Sequence, residues 1–287
     1  MPLFDEATLT RLRRLRLAAG RVQRGGARGE RLSKQFGAGQ EFGAHRPYTQ
    51  GDDLRRVDWN VYGRLGQLFL KLFEQPGQLR VLLVADDAPT MSFGEHDKWL
   101  AARRALAAVG MIALEGSEHV VLSRLGVPTP VNFDGTGEAR LLQLLDEMPV
   151  SAAPTENTAG VRGMFERRGR DSVLVLVSDF QNREPLLGIL RDARRAGVRA
   201  VAISIAAAEE LNPTLEGFSR LQAIGGGDTK LRIDERVLQA YREEVQHYRE
   251  GITRAVHAAG AAFIELDSAD PIEPLIVDLM RAGVIGA

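Results

Sequence analysis

The chain of 287 residues contains no cysteine, which excludes disulfide bonds and thiolate metal sites and fits a reducing compartment. It also lacks any apolar run of about 18 residues, the length that a transmembrane helix needs. The N-terminus carries early acidic residues and lacks the basic-then-apolar order of a signal peptide. From these absences we expect a cytoplasmic protein without a membrane span.

The sequence also lacks the common catalytic motifs. It contains no Gly-x-x-x-x-Gly-Lys-Ser/Thr phosphate loop, no Gly-x-Ser-x-Gly nucleophile turn and no His-Glu-x-x-His zinc motif among its five histidines. The sequence therefore predicts no catalytic centre, and we expect a protein that is not an enzyme.

The net charge is close to neutral, at −1, and gives no overall attraction to nucleic acid or to a membrane. Residues 1–80, however, hold more lysine and arginine than aspartate and glutamate. Basic stretches of this kind bind nucleic acid or acidic partners in some proteins. Because the stretch has few aromatic side chains to stack on bases, we do not expect a nucleic acid partner.

From Leu79 onward, apolar runs of strand length alternate with helical patterns. Strands separated by helices of about ten residues or more predict a parallel sheet that is covered on both faces. The predicted strands are residues 79–85, 118–124, 127–133, 172–178, 198–205 and 261–265. The predicted fold class is therefore α/β, with a doubly wound, mostly parallel sheet in a domain that spans residues 76–287.

Residues 1–75 are predicted to form an irregular N-terminal extension. A stripe of Leu12, Leu15 and Ala19 predicts a short basic helix over residues 9–19. Residues 25–48 are rich in glycine and polar side chains, a composition typical of a loop with a short hairpin. The sequence thus predicts little regular structure before the α/β domain.

Polar side chains lie in three loops of the predicted α/β domain. Asp86 to Ser92 follows the first strand, Thr155 to Thr158 precedes a helix, and Asp179 follows the strand at 172–178. In an open parallel sheet, the loops at the carboxyl ends of the strands converge on the ligand site. Carboxylates and hydroxyls suit a hard cation such as Mg²⁺ or Mn²⁺. The topology therefore predicts a candidate cation site at these loops.

Four short motifs carry a resemblance to a protein family. They are Arg46-Pro47-Tyr48, Gly51-Asp52-Asp53-x-Arg55-x-Val57-Asp58-Trp59, Lys71-x-Phe73-Glu74 and Ser178-Asp179-Phe180. With them the chain resembles domain-of-unknown-function family 58, bacterial proteins with a von Willebrand factor A-like domain. The resemblance covers residues 35–180 and implies that fold with a metal-ion-dependent adhesion site. It also implies a MoxR-type AAA+ ATPase as partner and a chaperone-like or adaptor role.

The adhesion site that the resemblance implies has Asp-x-Ser-x-Ser on the first loop, a threonine on the second and an aspartate on the third. The matching residues are Asp86, Thr90, Thr155 and Asp179, but Ala88 stands where the first serine belongs. Because alanine has no ligand atom, we expect a degenerate site that binds Mg²⁺ or Mn²⁺ weakly or has lost the ion. In the alternative interpretation, Asp86, Thr155 and Asp179 only cap the helices that follow them.

The segment from Tyr48 to Trp59 also has two interpretations. As a partner-binding surface it offers aromatic anchors together with charged groups, and the residues in question are Tyr48, Asp52, Arg55, Arg56, Asp58 and Trp59. As structure, its aspartates pair with nearby arginines and order the irregular extension.

Two functions of different class follow from these patterns. The first is a non-enzymatic protein-binding or adaptor protein that acts with a MoxR-type AAA+ ATPase in chaperone-like assembly or maturation. The second is a hydrolase, because Asp86-Asp87-Ala88-Pro89-Thr90 is similar to the Asp-x-Asp-x-Thr nucleophile loop of the haloacid dehalogenase family. In that case Asp86 is the nucleophile, but Ala88 occupies the place of the general acid that most phosphatases of that family need. We therefore expect the adaptor function.

Overall fold

The structure is a computed structural model that describes residues 3–12, 32–37, 41–47, 59–65, 67–76, 79–153, 156–166, 172–214, 217–222 and 228–282. The chain divides into two compact units, one of residues 24–78 and one of residues 1–23 together with 79–287. Within these described ranges, no helix has the length and apolar character to cross a membrane.

Residues 6–12 form a helix, α1, which belongs to the larger unit. Apolar side chains anchor this helix and the residues before it, since Leu3, Phe4 and Leu12 are buried. The Arg104 guanidinium Nε also donates a hydrogen bond to the Leu3 carbonyl (2.6 Å). The sequence predicts a helix over residues 9–19; the helix begins earlier, and residues 13–19 lie outside the described residues.

The smaller unit contains a three-stranded antiparallel sheet. Strands β1 (Leu32–Gly37) and β2 (Glu41–Pro47) each pair with β3 (Phe69–Pro76), which lies between them. The helix α2 (Trp59–Leu65) comes between β2 and β3 in the sequence. The prediction of a loop with a short hairpin within residues 25–48 is therefore wrong for residues 32–37 and 41–47. They form the strands β1 and β2, which pair with the later strand β3 and not with each other.

The larger unit is built on a six-stranded sheet. Its strands in spatial order are β11 (Ala262–Asp267), β8 (Arg199–Ala206), β7 (Ser172–Ser178), β4 (Arg80–Ala85), β5 (His119–Arg124) and β6 (Val131–Phe133). The first five are parallel to one another, and β6 pairs antiparallel with β5. The doubly wound, mostly parallel sheet predicted from the sequence is thus confirmed.

Helices cover both faces of this sheet. Along β4, Val81 and Leu83 contribute to one apolar core, and Leu82 and Val84 contribute to the other. This alternation follows from the two-residue period of a strand, and both faces are buried, as in other parallel sheets. The helices on the first face are α3 (Lys98–Glu115), α4 (Glu138–Asp146) and α9 (Ile272–Arg281), and those on the second face are α5 (Ala159–Glu166), α6 (Arg183–Arg195) and α8 (Glu235–Ala259).

Two smaller elements follow β8. They are the one-turn helix α7 (Ala208–Leu211) and the antiparallel pair of β9 (Gly217–Gln222) and β10 (Asp228–Ile233). The strand predicted at residues 127–133 is shorter than expected and consists of β6 alone. Pro128 and Pro130 lie in the missing part, and proline cannot donate a backbone hydrogen bond to a neighbouring strand.

The boundary between β4 and β7 positions the candidate site. From β4 the chain builds outward through β5 and β6, whereas from β7 it builds in the other direction through β8 and β11. This boundary is the topological switch point, where open α/β sheets bind ligands in the crevice outside the carboxyl ends of the strands.

Candidate functional site

Asp86 and Asp179 lie on the two sides of the switch point. Asp86 follows β4 and Asp179 follows β7, which is the neighbouring parallel strand. The Asp86 N–H donates a hydrogen bond to the Val177 carbonyl of β7 (2.9 Å). The two aspartates are 5% and 6% exposed, respectively. The structure therefore brings two of the four predicted metal ligands together at one buried edge.

Asp86 is held by hydrogen bonds from its own chain. Its Oδ2 accepts from the Ser178 hydroxyl (2.6 Å), and its Oδ1 accepts from the Ala88 N–H (3.2 Å). Burial is the main cause that raises the pKa of Asp86 from an ordinary value of 3.8 to about 6. The negative charges of Asp179 and Asp87 raise this pKa further, and the hydrogen bond from Ser178 opposes the rise.

Lys98, the first residue of α3, places its ammonium group between two carboxylates. Its Nζ lies 3.0 Å from Asp179 Oδ2 and 2.6 Å from Glu210 Oε1, and the Lys98 side chain is fully buried. The ring of Phe93 lies nearby, with its centroid 5.7 Å from Nζ. A buried ammonium is costly unless it is paired and hydrogen-bonded, so the two carboxylates stabilise the charge in this position.

Neither aspartate caps a helix. The N-cap of the short 3₁₀ helix after β4 is Ala88, and the N-cap of α6 is Asn182. Asp86 accepts from the N–H two residues on, and Asp179 Oδ1 likewise accepts from the Gln181 N–H (3.1 Å). This is the contact that aspartates make in tight turns. The interpretation of these two residues as helix caps is therefore wrong.

The contacts of the predicted ligands decide whether the site fits a divalent cation. All four carboxylate oxygens of Asp86 and Asp179 accept hydrogen bonds from the chain. The Thr90 hydroxyl is buried without a hydrogen-bond partner among the described residues, and Thr155 lies outside them. Across those same residues, no group of three histidines or carboxylates could hold a metal ion. Because the Lys98 ammonium already pairs with Asp179 Oδ2 and no third histidine or carboxylate joins the two aspartates among the described residues, this part of the site does not fit a divalent cation.

A third buried aspartate, Asp87, connects neighbouring loops to the same edge. It is 1% exposed, and its Oδ2 accepts from the Arg124 guanidinium (2.8 Å from Nε) and from the Ser151 hydroxyl (2.8 Å). The Ser151 N–H in turn donates to the Asp87 carbonyl (2.7 Å). Asp87 therefore joins the end of β4 to the end of β5 and to the loop after α4.

A cleft of about 300 Å³ opens beside Asp179, near the carboxyl ends of β8 and β11. Tyr241 and Tyr248 of α8 line it. Their hydroxyls donate hydrogen bonds to the carbonyls of Glu210 (2.9 Å) and Phe180 (2.7 Å), respectively. The other charged residues that line the cleft are Glu210, Arg249, Glu265, Asp267 and Asp270. The cleft therefore combines aromatic, apolar and charged surface at the carboxyl ends of β7, β8 and β11.

Sequence reasoning missed Lys98 and Glu210. For Lys98 a signal existed, because Ala102 and Ala105 follow it at helical spacing and form the buried stripe of α3. A lysine on such a stripe needs a buried partner. For Glu210 no comparable signal existed, because α7 is a single turn.

Most of the residues that are predicted to form a partner-binding surface lie outside the described residues. Those outside the described residues are Tyr48, Asp52, Arg55, Arg56 and Asp58. Trp59 begins α2, but its side chain is outside the description. Both interpretations of this segment therefore stay predictions.

A family model described as "Protein of unknown function DUF58" matches residues 44–251 of the chain, which is more than half of its length. Similar curated proteins are uncharacterized proteins of Mycobacterium bovis and of two strains of Mycobacterium tuberculosis. Each is 25% identical to this chain over 274 residues, which cover 91% of this chain and 85% of the relative.

Solved structures give partial matches. Proximal thread matrix protein 1 from the mussel byssus is 12% identical, with a TM-score of 0.35 over 45% of this chain and 38% of that structure. The pilus adhesin SpaC from Lactobacillus rhamnosus GG is 12% identical, with a TM-score of 0.43 over 72% of this chain and 30% of that structure. The chain thus spans less than two fifths of the length of either structure.

Proposed function

We propose that this chain, which belongs to the DUF58 family of proteins of unknown function, is a non-enzymatic, cytoplasmic protein-binding protein with a von Willebrand factor A-like domain. Its partner in this proposal is a MoxR-type AAA+ ATPase, and its role is adaptor-like, in chaperone-like assembly or maturation of a client. The proposal includes a degenerate metal-ion-dependent adhesion site at the switch point.

The observation that carries the proposal is the cleft beside Asp179, at the carboxyl ends of β7, β8 and β11. Tyr241 is 39% exposed there and presents an aromatic face to solvent. Tyrosine and arginine are enriched among the residues that dominate binding energy at protein interfaces. Arg249 is already oriented, because Glu265 accepts two hydrogen bonds from its guanidinium group (2.9 and 3.0 Å). A rigid surface of this composition supports protein recognition.

The charges around the cleft indicate which partner groups fit. Its carboxylates outnumber its cations, since Lys98 is shared between Asp179 and Glu210 and Arg249 is matched by Glu265. Like charges across an interface are costly. We therefore expect the partner to present neutral or basic side chains to this cleft.

A co-precipitation with a purified MoxR-type AAA+ ATPase from the same organism tests the proposal. We expect retention of the ATPase by the native chain and a loss of affinity of about tenfold or more with Tyr241→Ala, because truncation removes an aromatic anchor. The matched control is Arg254→Ala, a change on the same helix at a residue that does not line the cleft.

Two results would count against this proposal. If the native chain does not retain the ATPase with or without nucleotide, the proposed partner is wrong. If the native chain releases phosphate from p-nitrophenyl phosphate and Asp86→Asn does not, the hydrolase alternative replaces the adaptor function.

A further inference from the structure

We propose that the Lys98 ammonium takes the place of a divalent cation at the switch-point edge, so that the protein supplies this positive charge from its own chain and needs no metal ion there. The inference goes beyond the proposed function, because it holds whichever partner binds.

The Lys98 ammonium lies on a carboxylate that is predicted to bind the ion. Asp179 is the third-loop ligand that the family resemblance predicts, and its Oδ2 lies 3.0 Å from Lys98 Nζ. The other oxygen of Asp179 accepts from the Gln181 N–H. A divalent cation on Asp179 would have to displace the ammonium, since two cations cannot share one buried carboxylate oxygen without strong repulsion.

The contacts at the start of α3 fix the position of Lys98. Asp97 caps α3 by accepting from the Trp99 N–H (3.0 Å), so the helix begins at Lys98. The Lys98 N–H donates to the Phe93 carbonyl (3.2 Å). The loop before the helix turns at Gly94, where φ is +93° and an added Cβ would lie 2.8 Å from the Ala207 side chain. These contacts direct the lysine side chain inward at the first turn of α3.

Glu210 provides the second carboxylate that binds the Lys98 ammonium. Its Oε2 accepts from the Ala207 N–H (2.9 Å), while its Oε1 faces Lys98 Nζ. The Glu210 carbonyl also accepts from the Tyr241 hydroxyl. The ammonium therefore joins three separate parts of the chain, which are the start of α3, the loop after β7 and the helix α7. The chain therefore holds these three parts together through the Lys98 ammonium.

The charge balance gives the functional consequence. A divalent ion at this edge would leave a coordination position for an acidic group of a partner. The Lys98 ammonium is fully buried and is shared by two carboxylates, which leaves the edge with net negative charge. Partner recognition at this edge therefore does not proceed through a coordinated carboxylate of the partner.

The first arm of the test uses the native chain. Its thermal midpoint is measured with chelator and with millimolar Mg²⁺ or Mn²⁺, and Mn²⁺ binding is titrated by calorimetry. We expect no shift and no binding heat. An ion held by the folded state at a hundred times its dissociation constant would raise the midpoint by about 5–10 °C. A shift of that size that disappears in Asp179→Asn would overturn the proposal.

The second arm uses Lys98→Ala, which removes the ammonium and leaves both carboxylates. We expect millimolar Mn²⁺ to raise the thermal midpoint of this variant by about 5 °C or more, and we expect Lys98→Ala/Asp179→Asn/Glu210→Gln to lose this response. If Mn²⁺ leaves Lys98→Ala unchanged, the ammonium does not occupy an ion's position. If Lys98→Ala does not fold without metal, we expect Mn²⁺ to restore its folding. A variant that stays unfolded with Mn²⁺ would overturn the proposal.

Discussion

Lys98→Met is expected to lower the free energy of unfolding by about 3–5 kcal/mol, the usual effect of removing one partner from a buried ion pair. Methionine fills a similar volume, so the loss comes from the charges that remain and not from a cavity. The Asp179 side chain is 2% exposed and that of Glu210 is 24% exposed, so water cannot fully replace the ammonium. Urea unfolding at pH 7.5, followed by circular dichroism, measures the loss.

Two further variants separate the charge effect from the packing effect. Lys98→Met/Asp179→Asn/Glu210→Gln removes all three charges of the ion pair, and we expect it to recover part of the lost stability, because no uncompensated charge of this pair stays buried. Arg254→Met, on the exposed side of α8, should change stability by no more than about 0.5 kcal/mol. A loss below about 1 kcal/mol for Lys98→Met would show that the buried ion pair contributes little to the fold.

The second large effect is a gain in stability for Asp86→Asn at high pH. Raising the pKa of Asp86 from 3.8 to about 6 costs the folded state on the order of 3 kcal/mol once the group is ionised. Asparagine has only one carbonyl oxygen for the two donors, Ser178 Oγ and Ala88 N–H, and the lost hydrogen bond costs about 1 kcal/mol. We therefore expect a net gain of about 2 kcal/mol at pH 8.

The sign of the pH dependence follows from the raised pKa. Between about pH 4 and pH 6 the folded chain binds more protons at Asp86 than the unfolded chain does, so the contribution of Asp86 to stability falls as the pH rises through this window. The difference between Asp86→Asn and the native chain should therefore grow from pH 4 to pH 6 and then level off. Urea midpoints across pH 4–8 measure it, with Asp270→Asn, a change at an exposed aspartate, as control. A constant difference across this range would show that Asp86 does not titrate there.

The central sheet could be predicted from the sequence because its strands are buried on both faces. The run Arg80–Ala85 and the run Ser172–Ser178 are continuously apolar or nearly so, and such runs are typical of parallel strands. The smaller unit could not be predicted in the same way. β3 lies between β1 and β2, and its pairing depends on contacts between distant parts of the sequence that no local pattern shows.

The candidate site was predictable only in part, for a similar reason. Asp86 and Asp179 follow strands that the sequence identifies, so topology places them at the same edge. The contacts of Lys98 join residues that are 81 and 112 positions apart. Only the fold brings Asp179, Lys98 and Glu210 together, and the sequence pattern therefore predicts a metal ligand where the structure has an ion pair.

Hydrogen–deuterium exchange of the full chain, alone and with the MoxR-type ATPase, tests most directly whether the cleft beside Asp179 is the partner-binding surface. We expect slower exchange on binding in residues 204–211 and 241–252, which border the cleft. Tyr241→Ala should weaken this protection, and Arg254→Ala should not. Protection confined to residues 44–59, or no protection at ATPase concentrations that saturate binding, would show that the cleft is not the partner-binding surface.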